Sequence, residues 1–130
     1  MALVVVDSSV ILAFRDPADA LHSRAVVAFR SHASDDLIVP ASVYAEILVG
    51  PLRHGAEAVE SMELFIHDFA MQIIPLDASI AREAASMRAR TASLRLPDAF
   101  VLATGEVLKA AAVLTGDSTW PRLSERAELI

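Results

Sequence analysis

Residues 3–10 read LVVVDSSV, a short β-branched apolar run that stops on an aspartate followed by two serines. Leu3 to Val6 has the pattern of a strand buried on both faces, as in a parallel sheet. Asp7 then stands where open α/β sheets bind their ligands, beyond the carboxyl ends of the strands. The same text also reads as a helix start, with Asp7 or a serine as N-cap, its oxygen accepting from a free N–H. The rest of the chain must separate a ligand from a cap.

Outward from this stretch, helical and strand patterns alternate. Ala20 to His32 places Leu21, Ala25, Ala28 and Phe29 at helical spacing, and Leu37 to Val39 is a second apolar run closed by Pro40. Ser42 is placed to cap a helix through Val49, with Gly50 and Pro51 in the order that stops helices. Ala56 to Phe69 carries Val59, Met62, Phe65, Ile66 and Phe69 on one stripe, and Gln72 to Leu76 reads as a third strand. Asp77 caps a helix in which Ile80, Ala81, Ala84 and Met87 face inward. LRLPDAF opens another, with Pro97 in the first turn, where its missing N–H costs nothing, and runs to about Ala110. Ala112 to Thr115 is a fourth strand, and the AELI of residues 127–130 a last edge strand. Connections too long for hairpins predict right-handed crossovers and a mostly parallel sheet. The expected fold class is α/β, a three-layer α/β/α sandwich, in one domain over residues 1–130.

The chain has 130 residues, 55% of them hydrophobic, and a formal net charge of −6. That suffices for a core and has the wrong sign for indiscriminate DNA binding. Among 11 basic residues only Lys109 is a lysine, and there is no cysteine, which removes disulfides, thiolate metal sites and thiol nucleophiles. The N-terminus lacks the basic segment of a signal peptide, and no apolar run reaches the roughly 18–20 residues of a membrane span. The expectation is a soluble, cytoplasmic protein with no membrane partner. His22, His32, His54 and His67 lack zinc-ligand spacing and read as surface or structural.

On a parallel sheet the acids can be placed. Asp7 follows the first strand, Glu46 lies one turn beyond the second, Asp98 opens the helix before the fourth, and Asp117 follows the fourth. All can face one rim. Three stand in mostly apolar text, VVVDSSV, VYAEILV and LPDAFVL, where an unpaired carboxylate is expensive to bury. A divalent cation gives mutually repelling acids a reason to meet, and hard Mg²⁺ or Mn²⁺ suits an oxygen-only set. Plainer readings stand beside this: Asp98 favours a helix dipole, Asp117 a Gly-Asp turn, Glu46 a solvated face.

In order, VVVDSSV, SVYAEILVG, LRLPDAFVLATG and AVLTGDSTW resemble the PIN-domain family, and within it the small VapC-type toxins of bacterial toxin–antitoxin pairs. The resemblance runs from Val5 to Trp120. It implies that Asp7, Glu46, Asp98 and Asp117 form the catalytic set and bind Mg²⁺ or Mn²⁺, with Ser8 and Thr115 orienting the carboxylates. Gly116 departs from the Asn, Arg or Ser common at its position. The implied activity is that of a toxin endoribonuclease, a metal-dependent hydrolase of RNA held inactive by a cognate antitoxin. The alternative is a PIN-like module that binds RNA or protein without catalysis, since a fold alone does not define an activity.

Arg82, Arg88, Arg90 and Arg95 give the text leading to Asp98 a basic bias. Arg88, Arg90 and Arg95 are candidate RNA contacts, because a guanidinium grips phosphate in a bidentate way; the plainer reading is a solvated helix face. Val43 to Phe69 holds more apolar residues than one helix face needs, which suggests partner contact. By resemblance the partners are a second copy, giving a homodimer, and the antitoxin. Trp120 reads as core. A receiver domain would need a lysine at a late strand end, and a haloacid-dehalogenase-like phosphatase Asp-x-Asp after the first strand. Lys109 within a helix and Asp7-Ser8-Ser9 fit neither.

Overall fold

The computed structural model describes residues 1–130. Strands β1 (Leu3–Val6), β2 (Asp36–Pro40), β3 (Gln72–Ile74), β4 (Ala112–Thr115) and β5 (Ala127–Leu129) form one sheet in the order β3-β2-β1-β4-β5. Every pairing is parallel. Helices α1 (Ser8–Arg15), α2 (His22–Ser31), α3 (Ala41–His54), α4 (Ala56–Asp68), α5 (Ala78–Arg90) and α6 (Leu96–Val107) cover it, with a short 3-10 helix at Trp120–Arg122. This is the three-layer α/β/α sandwich expected, and the sheet is wholly rather than mostly parallel.

β1 takes the central place because it has no polar face to expose. Val5 and Val6 are completely buried, with Val4 in register with Leu37 of β2 and with Ala112 of β4. One apolar core of 30 residues surrounds the sheet. α6 lies directly on β4 because Gly105 faces it; a Cβ there would collide with Val113. On the α1–α2–α4 side the ring of Phe14 stands 4.6 Å from Phe29 and 5.3 Å from Phe69. Trp120 is 2% exposed, as a core residue should be. No helix is long and apolar enough to cross a membrane.

Local expectations hold where a single residue decides them. Asp77 Oδ1 accepts from the Ile80 amide at 2.9 Å and caps α5, and Pro97 sits in the first turn of α6. Others need correction. α3 does not stop at Gly50-Pro51 but continues to His54, and Pro40 rather than Ser42 holds the cap position. Pro51 forfeits one helical N–H, yet the helix persists because α4 packs along it, tied by the Tyr44 hydroxyl donating to Glu63. The chain turns at Gly55, whose φ of 123° is open to glycine. The Ser42 hydroxyl is left buried without a partner. α6 ends at Val107, short of Ala110, because Lys109 adopts a φ of 53° to lead into β4. Ala81 lies exposed on α5, and β3 ends at Ile74 rather than Leu76.

Candidate active site

Because the strands are parallel, β1, β2 and β4 all end at one edge of the sheet, and the residues following them emerge there. Asp7 is at once the cap and a rim carboxylate. Its Oδ1 accepts from the Ser8 amide at 2.8 Å, while Oδ2 accepts from Ser9 Oγ at 2.8 Å and from Thr115 Oγ1 at 3.1 Å. The Asp7 amide itself donates to the Leu114 carbonyl at 3.0 Å, continuing the sheet one residue past β1. Asp7 is 7% exposed, and no basic side chain pairs with it. Burial pushes its carboxyl above the ordinary value; the Ser9, Thr115 and Ser8 hydrogen bonds oppose this, and the charge of Glu46 adds to it. Glu46, exposed on α3, accepts from Ser8 Oγ at 3.3 Å. Ser8 thus links the two acids, its amide on Asp7 and its hydroxyl on Glu46.

Asp98 and Asp117 form a second pair, lining a cavity of about 560 Å³ together with Arg95, Arg122, Thr119 and Trp120. Asp98 lies in the first turn of α6, where the helix dipole favours an anion. Burial raises its carboxyl, Arg95 lowers it, and the charge of Asp117 raises it again. The ion pair is loose: Arg95 Nε is 3.8 Å from Asp98 Oδ2, and the arginine side chain is 79% exposed. Asp117 is held below its ordinary value, chiefly by Thr119, whose hydroxyl and amide donate to Oδ1 at 2.6 and 2.9 Å.

The four acids therefore occupy one edge as two pairs, Asp7 with Glu46 and Asp98 with Asp117. No three histidine, aspartate or glutamate side chains stand close enough to hold a metal ion among themselves. Thr115 connects the pairs, donating to Asp7 and accepting from the Asp117 amide at 3.0 Å. The donors are all carboxylate oxygens, in like-charged pairs, which is the chemistry a hard divalent cation takes.

The arginines divide. Arg95 faces the Asp98 cavity, but Arg90 bonds Ser86 Oγ at 3.1 Å and lines a different cavity with Glu106 and Arg126. Arg88 is exposed on α5. Two residues went unread in the sequence. Arg122 faces the Asp117 cavity from the Trp120–Arg122 turn, where no periodicity marks it. Ser9 bonds Asp7 and also accepts from the Gly116 amide at 3.0 Å; its one signal was its place in the first turn of α1, where side chains lean back toward the strand edge. Gly116 has a local reason for departing from the family pattern: a Cβ would stand 2.7 Å from Leu21 Cδ1 and 3.3 Å from Ser9 Oγ.

A wholly parallel α/β/α sandwich with paired acids at the carboxyl edge of its sheet defines the class. The PIN domain model matches residues 4–126, and the chain belongs to the PIN domain family. No curated protein matches the chain. Among solved structures it is similar to VapBC2 from Rickettsia felis bound to a DNA fragment from their promoter, with a TM-score of 0.80 at 11% identity over 98% of each chain. It is similar to FitAB bound to the IR36 DNA fragment, with a TM-score of 0.77 at 25% identity over 95% of this chain and 92% of that one. Mycobacterium tuberculosis VapC20, a sarcin-ricin loop cleaving toxin, gives a TM-score of 0.70 at 16% identity, over 92% of this chain and 93% of that one.

Proposed function

We propose that the chain is the toxin of a VapC-type toxin–antitoxin pair, a metal-dependent endoribonuclease that hydrolyses RNA phosphodiester bonds at the rim formed by Asp7, Glu46, Asp98 and Asp117. The observation that carries this reading is the pairing of four carboxylates at one edge of a PIN-domain sheet, with the most buried of them, Asp7, given no basic partner. The structural neighbours support the class: they include a toxin–antitoxin complex from Klebsiella pneumoniae, and VapC20 is a sarcin-ricin loop cleaving toxin.

In this reading Asp7 and Asp98 are the principal ligands of Mg²⁺ or Mn²⁺, Glu46 a ligand or the base that orients water, and Asp117 the outer ligand. A divalent cation would be held by these carboxylates and would supply Lewis acidity, to acidify an attacking water and offset charge on the phosphoryl group. The chain's own part is positioning. Ser8 aims Glu46, Thr115 fixes Asp7, and Thr119 fixes Asp117. Arg95 and Arg122 give an acidic chain local cations beside the rim, suited to RNA phosphates; Arg88, exposed on α5, is kept as a further RNA contact, and Arg90, which lines the other cavity, is not. The exposed Val49 and Leu52 of α3 and Leu64 of α4 are surfaces for the cognate antitoxin and for a second copy in a homodimer. The site of action is the cytoplasm.

The test is RNA cleavage by the purified chain, freed of any antitoxin, with Mn²⁺ or EDTA, beside Asp98→Asn. Wild type should cut only with metal. The variant should remain folded but lose at least about 100-fold in rate, roughly 2.7 kcal/mol of transition-state stabilisation. Wild-type cleavage by Asp98→Asn, or cleavage that survives EDTA, overturns the reading. The separation of the acids into two pairs favours a second reading, a PIN module that binds RNA or protein without cutting. RNA binding by the wild type with no cleavage in any metal selects it.

A further inference from the structure

Resting on that reading, we propose that Ser9 is a positioning residue: it locks the Asp7 carboxylate against the turn after β4 so that Oδ1 is the only oxygen left to meet a ligand. The hydroxyl of Ser9 has one proton. Its oxygen receives the Gly116 amide at 3.0 Å, and its proton goes to Asp7 Oδ2 at 2.8 Å. Thr115 repeats the arrangement, receiving the Asp117 amide at 3.0 Å and donating to the same Oδ2 at 3.1 Å. Two relays thus start on successive backbone amides of one turn and converge on one oxygen.

A carboxylate oxygen has two acceptor sites in its plane. Oδ2 gives both, to Ser9 and Thr115; Oδ1 gives one, to the Ser8 amide. The remaining acceptor site of Asp7 is on Oδ1. Tilting the carboxylate out of this plane would break both relays together, so the pair holds its plane where Thr115 alone leaves a pivot. The absence of a Cβ at Gly116 lets the turn approach Ser9 this closely. Ser9 therefore works through Asp7.

The experiment uses the full chain as wild type, Ser9→Ala and Ser9→Thr, with MnCl₂ as probe. Thermal unfolding is followed across a Mn²⁺ titration, and kcat and KM are measured on an RNA that the wild type cuts. Ser9→Ala should need about 10-fold more Mn²⁺ to reach half the wild-type melting shift, the lower end of what is lost when a residue supporting a metal ligand is removed. Its kcat should fall by a similar factor with KM for RNA unchanged, and Ser9→Thr, which keeps the hydroxyl, should recover both. Should Ser9→Ala not fold, Ser9→Cys keeps the size with only a weak donor and reads the same loss. A Ser9→Ala protein with wild-type Mn²⁺ dependence, or a Ser9→Thr protein as impaired as Ser9→Ala, overturns the assignment of Ser9 alone. A wild type with neither a Mn²⁺ shift nor cleavage overturns the functional reading, and this inference with it.

Discussion

Glu106 and Asp7 sit at opposite edges of the same sheet and are treated in opposite ways. Glu106 accepts from Ser124 Oγ at 2.7 Å and from Arg126 Nε at 3.1 Å, and Arg126 reaches on to the Ala110 carbonyl at 2.6 Å. Ser124 first, and Arg126 after it, hold the Glu106 carboxyl below its ordinary value. Asp7 is more deeply buried, is bonded only by hydroxyls and an amide, and is pushed up. The loose Arg95–Asp98 pair is the rim's nearest equivalent to the Glu106 clasp. At the Glu106 edge the chain provides the cation; at the rim Asp7 has none, and on the function proposed above its neutralisation is left to something outside the chain.

If that contrast is right, metal acts on one edge only, and the largest effect appears there. Mn²⁺ at about 100 times its dissociation constant should stabilise the wild type by about 2.7 kcal/mol, which for a domain of this size is several degrees. Asp7→Asn should lose most of this shift. In EDTA the sign reverses. A carboxyl raised above its ordinary 3.8 contributes most to stability when protonated, and that contribution is lost as pH rises through its folded value. Asp7→Asn should therefore melt at or above the wild type at neutral pH, and lose that advantage below pH 3.8. Equal Mn²⁺ shifts in the two proteins would make Asp7 a cap and nothing more.

A smaller effect is expected at the other edge. Arg126→Ala strips Glu106 and the Ala110 carbonyl of a donor. Both side chains of the ion pair are about one-third exposed, at 32% and 33%, so solvent makes up part of the loss and the cost should be about 1 kcal/mol. That is a few degrees in a thermal melt, with the Mn²⁺ shift unchanged. A weakened Mn²⁺ response in this variant would erase the distinction between the edges.

The smallest effect separates the arginines. Arg122→Ala should lower the slope of log affinity for single-stranded RNA against log salt by about 0.7, the share of one phosphate contact. Arg90→Ala, facing the other cavity, should leave the slope as it is. Identical slopes in the two variants would remove Arg122 from the RNA path.

What could be read from the sequence was what a short stretch decides alone. The apolar run before Asp7 marks a central strand, Asp77 a cap, Pro97 a first turn, and the order of strands and acids places Asp7, Glu46, Asp98 and Asp117 at one edge. Contacts between distant segments were not legible. Gly50-Pro51 is a sound local stop that the packing of α4 on α3 overrides. The Arg126–Glu106 clasp joins residues 20 apart with no pattern between them. Spacing along the chain puts the acids on a common rim but not at a common point, so their division into pairs had no sequence signal. Arg90 and Arg95 look alike in the text and diverge because one precedes the loop between α5 and α6 and the other ends it.

The central position of β1 also sets a schedule. On a growing polypeptide Asp7 emerges 108 residues ahead of Thr115, which donates to its carboxylate. Until β4 arrives, β1 has one bare, apolar edge, of the kind that invites pairing with other chains. Pairing between such distant strands is also slow to form. The hydrogen-bonded arrangement of Asp7 is therefore deferred until β4 has been synthesised and docked. On the function proposed above, that delay falls in the period when the chain's own messenger is still being read.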